Sequence, residues 1–124
     1  MNILIDSSVW LEYFSGGSKA KGLEKFFKPP NKIILPSIVA YEVYKKIKAE
    51  KGEAFAVLLL AQMERLSSTI ASIDQALAVQ AADISLQHKI PMADSMIYSV
   101  ALYSESTVIT MDSHFKDLPA CQLV

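Results

Sequence analysis

The sequence predicts an α/β protein, a three-layer α/β/α sandwich around a mainly parallel sheet of four or five strands. Short apolar runs of strand length recur along the chain, and longer segments with helical periodicity separate them. Strands alternating with helices require crossover connections, which set the strands parallel and cover both faces of the sheet. The 124 residues match the usual size of one domain, roughly 100 to 150 residues. No repeat, low-complexity tract or linker divides them, so residues 1–124 are expected to form a single domain.

The elements follow in order. Asn2 to Ile5 is a short apolar strand, and Ser7 or Ser8 caps a helix running through Phe14 with Trp10 and Leu11 toward the core. Gly16-Gly17-Ser18 breaks the chain. A Lys-rich amphipathic stretch from about Lys19 to Phe27 precedes Pro29-Pro30 and a second strand at Ile33 to Leu35. Pro36-Ser37 then starts a helix to about Glu50, and a further helix covers Glu53 to Leu66. Thr69 to Ile73, rich in β-branched residues, is the third strand. Asp74 caps the next helix, Gln75 to His88, and Asp94 opens another that reaches about Tyr103. Thr107 to Thr110 is the fourth strand, with Cys121 to Val124 a short fifth at an edge.

Twelve Lys and Arg against thirteen Asp and Glu give a net charge of −1, which argues against nucleic-acid binding by overall electrostatics. The charge is unevenly spread. Residues 1–52 hold nine Lys and five acids, a balance of +4, while residues 53–124 hold three basic residues and eight acids, a balance of −5. Lys19, Lys21, Lys25, Lys28 and Lys32 form one positive group and Lys45, Lys46, Lys48 and Lys51 another, either a solvated helix face or a local RNA-steering surface.

Cys121 is the sole cysteine, so no intrachain disulfide forms and a reducing compartment fits. The first residues run into an apolar stretch containing Asp6 with no basic leader ahead of it. The longest uninterrupted apolar run, Ala54 to Ala61, is far below the roughly 18 residues of a membrane span. A cytoplasmic protein is expected. Hydrophobic residues make up 52% of the chain, rich enough for so small an interior that some apolar surface is expected to meet a partner chain.

In a parallel α/β sheet the loops after the strands open on one edge, where functional groups collect. Asp6 follows the first strand, Asp112 lies two residues beyond the fourth, and Asp94 starts a helix after Ile90-Pro91. Each alone is explained as a helix cap contributing about 1 kcal/mol. Their shared placement is a different matter, because gathered negative charge costs several kcal/mol without a compensating cation or proton. Glu42 lies in the apolar segment Ile38 to Tyr44, where an exposed i,i+4 pair with Lys46 would account for it.

The four segments I-L-I-D-S-S with Asp6, V-A-Y-E-V with Glu42, M-A-D-S-M-I-Y-S-V-A with Asp94 and V-I-T-M-D-S-H-F with Asp112 together resemble the PIN-domain signature. Within that family the resemblance is to the VapC-type toxins of type II toxin–antitoxin systems. It implies that Asp6, Glu42, Asp94 and Asp112 form an acidic pocket binding Mg²⁺ or Mn²⁺ and supporting endonucleolytic cleavage of RNA. It also implies supporting roles for the hydroxyls of Ser7 and Thr110, a small antitoxin partner and a homodimer. His114 and Phe115 match the common ending of the last motif; His114 is assigned a surface or capping place and no catalytic one. Ser95, Tyr98 and Ser99 depart from the small apolar residues usual in the helix after the third acid, which bears on how that helix packs.

Magnesium favours oxygen ligands and takes one or two carboxylates directly, so Asp6 and Asp94 are expected to bind it and the other acids to act through water. The implied reaction is in-line attack on phosphorus by an activated water, leaving 5′-phosphate and 3′-hydroxyl ends, with one ion or two. A single-stranded loop suits such a pocket better than a duplex. Two rival readings stand beside this one. A haloacid-dehalogenase-type phosphatase needs a second acid two residues after the first, where this chain has Ser8. A noncatalytic binding or assembly module would use its acids only as helix caps.

Overall fold

The computed structural model describes residues 1–124. Five strands, β1 (Asn2–Ile5), β2 (Lys32–Pro36), β3 (Thr69–Ala71), β4 (Thr107–Thr110) and β5 (Cys121–Leu123), form one sheet in the order β3-β2-β1-β4-β5, with every pair parallel. Six helices connect them: α1 (Ser7–Ser15), α2 (Ala20–Leu23), α3 (Ser37–Lys51), α4 (Glu53–Leu66), α5 (Gln75–His88) and α6 (Met92–Tyr103). The expected α/β class holds, and the fifth strand lies at an edge as foreseen.

The central strands are apolar throughout because both faces of the sheet are covered. Ile3, Leu4 and Ile5 of β1, Ile33 to Leu35 of β2 and Val108 and Ile109 of β4 are all buried. Val9 and Trp10 of α1, Val39 and Val43 of α3, Met63 of α4 and Ile97 and Val100 of α6 pack into the same core. Leu11 is only partly buried, packed against its margin.

Local chemistry sets the element ends. Gly16 closes α1 in the left-handed region at φ 67°, which a residue without Cβ adopts at no steric cost. Gly52 at φ 91° separates α3 from α4. Asp74 caps α5 as expected, accepting the Leu77 N–H at 2.9 Å.

Three expectations need correction. Asp6 itself, rather than Ser7 or Ser8, caps α1, and its side chain accepts from the Ser7 N–H. Helix α6 begins at Met92, not at Asp94: Pro91 holds the extended conformation required before a helix, and its carbonyl accepts the Ser95 N–H at 2.9 Å. The segment after Lys19 is a single turn, α2, continued by a 3₁₀ turn over Glu24–Phe27, rather than one amphipathic helix.

The departures in α6 are absorbed by hydrogen bonds. Ser95 and Ser99 are buried, the first donating to the Met92 carbonyl at 2.7 Å and the second bonded to Leu77 O and Gln80 Oε1 at 2.9 and 2.8 Å. The Tyr98 hydroxyl donates to Pro119 O at 2.9 Å and so ties α6 to the approach to β5. Polar groups in a packed helix face are tolerated when each is paired, and these are.

Candidate metal centre

Strand order places the site. The chain builds outward from β1 to β2 and β3, then returns to add β4 and β5 on the other side of β1. The direction of winding reverses between β1 and β4, and ligand sites in open α/β sheets lie outside the carboxyl ends of the strands at such a reversal. Asp6 follows β1 and Asp112 follows β4, with the register Ile5 opposite Ile109 bringing the two strand ends level. The Asp6 N–H donates to the Ile109 carbonyl at 2.9 Å, which continues the ladder into the site.

Asp6 is 2% exposed and held by donors from three residues. Its Oδ1 accepts the Ser7 N–H at 2.8 Å, and its Oδ2 accepts the Ser8 hydroxyl at 3.0 Å and the Thr110 hydroxyl at 2.7 Å. Both hydroxyl oxygens also accept a hydrogen bond from the β4 exit: Ser8 Oγ from the Met111 N–H at 3.1 Å, Thr110 Oγ1 from the Asp112 N–H at 2.9 Å. Each therefore links the first acid to the strand that carries the last. Ser7, the hydroxyl singled out in the sequence, contributes its backbone at short range, with its Oγ at 3.4 Å. Ser8 is the residue that sequence reading missed; only the pairing of β1 with β4 brings it to Met111.

Glu42 comes from α3 and Asp94 from α6. The Lys46 expected to pair with Glu42 is bound to Glu50 instead, at 3.2 Å, and Glu42 Oε1 is buried with no hydrogen-bond partner. Asp94, in the first turn of α6, caps nothing and is 8% exposed. All four acids lie within one another's field. Burial raises the Asp6 carboxyl above its ordinary 3.8, only partly offset by the bonds from Thr110, Ser8 and Ser7. Burial also raises Glu42, partly offset by the Ser7 hydroxyl, with Asp6 and Asp112 acting in the raising direction. Asp94 is pushed up to about 6, first by burial and then by the charges of Asp112 and Asp6, against an opposing pull from His114.

His114 is half-exposed, and its Nδ1 lies 3.0 Å from both Asp94 Oδ2 and Asp112 Oδ1. The two carboxylates hold its imidazole above the usual range, Asp112 by hydrogen bond foremost. The surface or capping place assigned from sequence is thus incomplete, since the ring bridges two of the four acids. No sequence signal separates this His from a surface one, because its neighbours in space come from α6.

These groups fit a divalent ion. The carboxylate oxygens are the hard ligands Mg²⁺ and Mn²⁺ select. Asp94, Asp112 and His114 offer ligand atoms within 4.8 Å of one another, and the imidazole sits where a positive charge is drawn between two acids. The partnerless Glu42 oxygen is a further donor site lacking its counterpart. Helix capping accounts for Asp6 and Asp112, whose side chains accept from Ser7 N and His114 N. It accounts for neither Glu42 nor Asp94.

The PIN-domain family model matches residues 3–120. The chain belongs to the PIN-domain family. Solved structures share the PIN fold over nearly the whole chain. A toxin–antitoxin complex from Klebsiella pneumoniae superposes with a TM-score of 0.78 at 23% identity, covering 97% of this chain and 95% of the other. VapC20 of Mycobacterium tuberculosis, a toxin that cleaves the sarcin–ricin loop, gives 0.77 at 19% identity over 94% and 95%. VapBC2 of Rickettsia felis, bound to DNA from its promoter, gives 0.75 at 20% identity over 100% and 98%. No curated protein sequence matches the chain. No helix of this PIN domain is long and apolar enough to cross a membrane.

Proposed function

We propose that this PIN domain is a divalent-metal-dependent endoribonuclease, the toxin half of a toxin–antitoxin pair. The observation that carries the reading is the convergence of Asp6, Glu42, Asp94 and Asp112 from four separate segments at the reversal point of the sheet. Toxin–antitoxin assemblies and an RNA-cleaving toxin among the structures sharing its fold support the biological setting.

Asp6 and Asp94 would hold Mg²⁺ or Mn²⁺ directly, with Glu42 and Asp112 engaging it through water. When bound, the ion supplies positive charge that offsets the clustered acids and polarises the scissile phosphate. The chain's own groups do the rest. Ser8 and Thr110 fix the Asp6 carboxylate, so little reorganisation is needed when phosphate arrives. Glu42 Oε1, free of any partner, is the base that takes the proton from the attacking water. In-line attack leaves 5′-phosphate and 3′-hydroxyl ends.

Single-stranded RNA loops suit a pocket at the end of a sheet, where a splayed strand presents its backbone. Phe55, Val57 and Leu58, exposed on α4, and Leu86 and Met92 near the α5–α6 turn are apolar surface for an antitoxin and a second copy. A cytoplasmic location accords with the lone, unpaired Cys121, whose thiol burial raises to about 11.

The test is cleavage of mixed cellular RNA by purified protein with Mg²⁺, Mn²⁺ or EDTA, beside Asp6→Asn and Asp94→Asn proteins shown to fold by circular dichroism. Metal-dependent cutting lost in both variants is the expected outcome. Equal cutting by the folded variants, or none by the wild type, would move the noncatalytic module ahead.

A further inference from the structure

We propose that the His114 imidazole is a direct ligand of the ion held by the acidic cluster, and that this nitrogen makes the site select a transition-metal ion, Mn²⁺, over Mg²⁺. The inference rests on the metal-dependent reading above and adds to it the residue that chooses the metal.

Backbone structure places the ring. His114 lies in the 3₁₀ turn Ser113–Phe115, which starts directly after Asp112. Phe115 is fully buried and anchors that turn in the core, and the His114 N–H donates to Asp112 Oδ1 at 2.9 Å. The ring is held against the acids as a result, with Nδ1 3.0 Å from Asp94 Oδ2 and 3.0 Å from Asp112 Oδ1. The Asp94 carboxylate, 8% exposed, has this ring as its partner and no other donor from the protein.

The spacing is that of two ligands on one ion. Adjacent ligands of an octahedral cation with bonds of about 2.1 Å stand about 3.0 Å apart. Nδ1 and Asp94 Oδ2 already hold that separation, and Asp112 offers an oxygen within 4.8 Å of both. A nitrogen lone pair facing two carboxylates also calls for a positive centre between them, which a bound cation supplies.

Ligand type then selects the metal. Carboxylates alone suit Mg²⁺, which takes oxygen ligands and keeps several waters. Imidazole is a ligand of first-row transition ions and adds little for a hard ion such as Mg²⁺. Because Mn²⁺ stands at the weak end of the transition series, a preference measured with it is a lower limit. The half-exposed ring lies at the solvent margin of the site, so an ion reaches it without the fold opening.

The experiment uses the intact chain with Mn²⁺ alone at pH 7.5. Pulsed electron paramagnetic resonance of the bound ion is expected to show ¹⁴N modulation from a coordinated imidazole. The other histidine of the chain, His88, packs edge-on against Tyr98, so the signal should persist in His88→Gln and vanish in His114→Gln. In calorimetric titrations His114→Gln, shown to fold by circular dichroism, should bind Mn²⁺ about tenfold or more weakly, while its Mg²⁺ affinity stays within about threefold of wild type. Equal losses for the two ions would mean that the ring acts without ligation and would overturn the proposal. So would bound Mn²⁺ without ¹⁴N modulation in the wild type, or modulation retained in His114→Gln. Wild type that shows imidazole ligation yet never cuts RNA would sink the nuclease reading and leave the ligand standing; metal-dependent cutting without ¹⁴N modulation would do the reverse.

Discussion

Replacing Asp94 by asparagine should abolish cleavage and, without metal, make the protein more stable at neutral pH. Asp94 is raised from 3.8 to about 6, so ionising it in the fold is harder than in the unfolded chain. The difference corresponds to at most about 3 kcal/mol, since each tenfold step costs about 1.4 kcal/mol. The carboxylate still meets solvent at its edge and His114 at 3.0 Å. The figure already includes the pull of His114, and solvent screening reduces it to about 1 to 2 kcal/mol. The sign follows from proton binding. A carboxyl raised in the fold holds its proton there over a window where the unfolded chain has lost it, so its contribution is most favourable at low pH and declines as pH rises from 3.8 through about 6. Asparagine carries no charge and escapes that decline. In EDTA the variant should therefore melt above wild type at pH 7.5, by about 3 to 6 °C for each kcal/mol in a chain of this size, and the gap should narrow to about a third near pH 4.5 and close only below pH 3.8. Melting followed by circular dichroism across that range reads it. A variant that melts below wild type at pH 7.5, or a gap that does not change with pH, would refute the view that Asp94 is an electrostatic burden awaiting a cation.

Two further outcomes follow from the same network. Thr110→Val, which keeps the shape of a fully buried side chain, removes the donor to Asp6 Oδ2 and the acceptor for Asp112 N–H. It should cost about 1 to 3 kcal/mol by urea unfolding, and a loss near zero would mean the hydroxyl does not hold the site together. Mn²⁺ at a hundred times its dissociation constant should stabilise the wild type by about 2.7 kcal/mol relative to EDTA. Because protons compete for the raised Asp6, Glu42 and Asp94 carboxylates, that gain should be larger at pH 7.5 than at pH 5 and small in Asp6→Asn. A shift independent of pH would place the ion elsewhere.

The sequence by itself determined most of the element order. The helices Glu53–Leu66 and Gln75–His88 and the strands Asn2–Ile5 and Thr107–Thr110 are read to the residue, because apolar periodicity and local caps are properties of neighbouring residues. It also marked Asp6 and Asp112 as lying just past strands, although their capping roles were equally visible there. What only the tertiary structure decided is which strands adjoin. The order β3-β2-β1-β4-β5 brings Asp6 to Thr110 across 104 positions, turns Ser8 from a helix residue into a bridge to Met111, and sends Glu42 into the cluster while Lys46 pairs with Glu50. It likewise sets the exposed His114 against Asp94 and Asp112. Periodicity and capping act over a turn or two of chain, whereas burial, carboxylate repulsion and a shared counter-charge depend on distance in space, which a linear pattern does not encode.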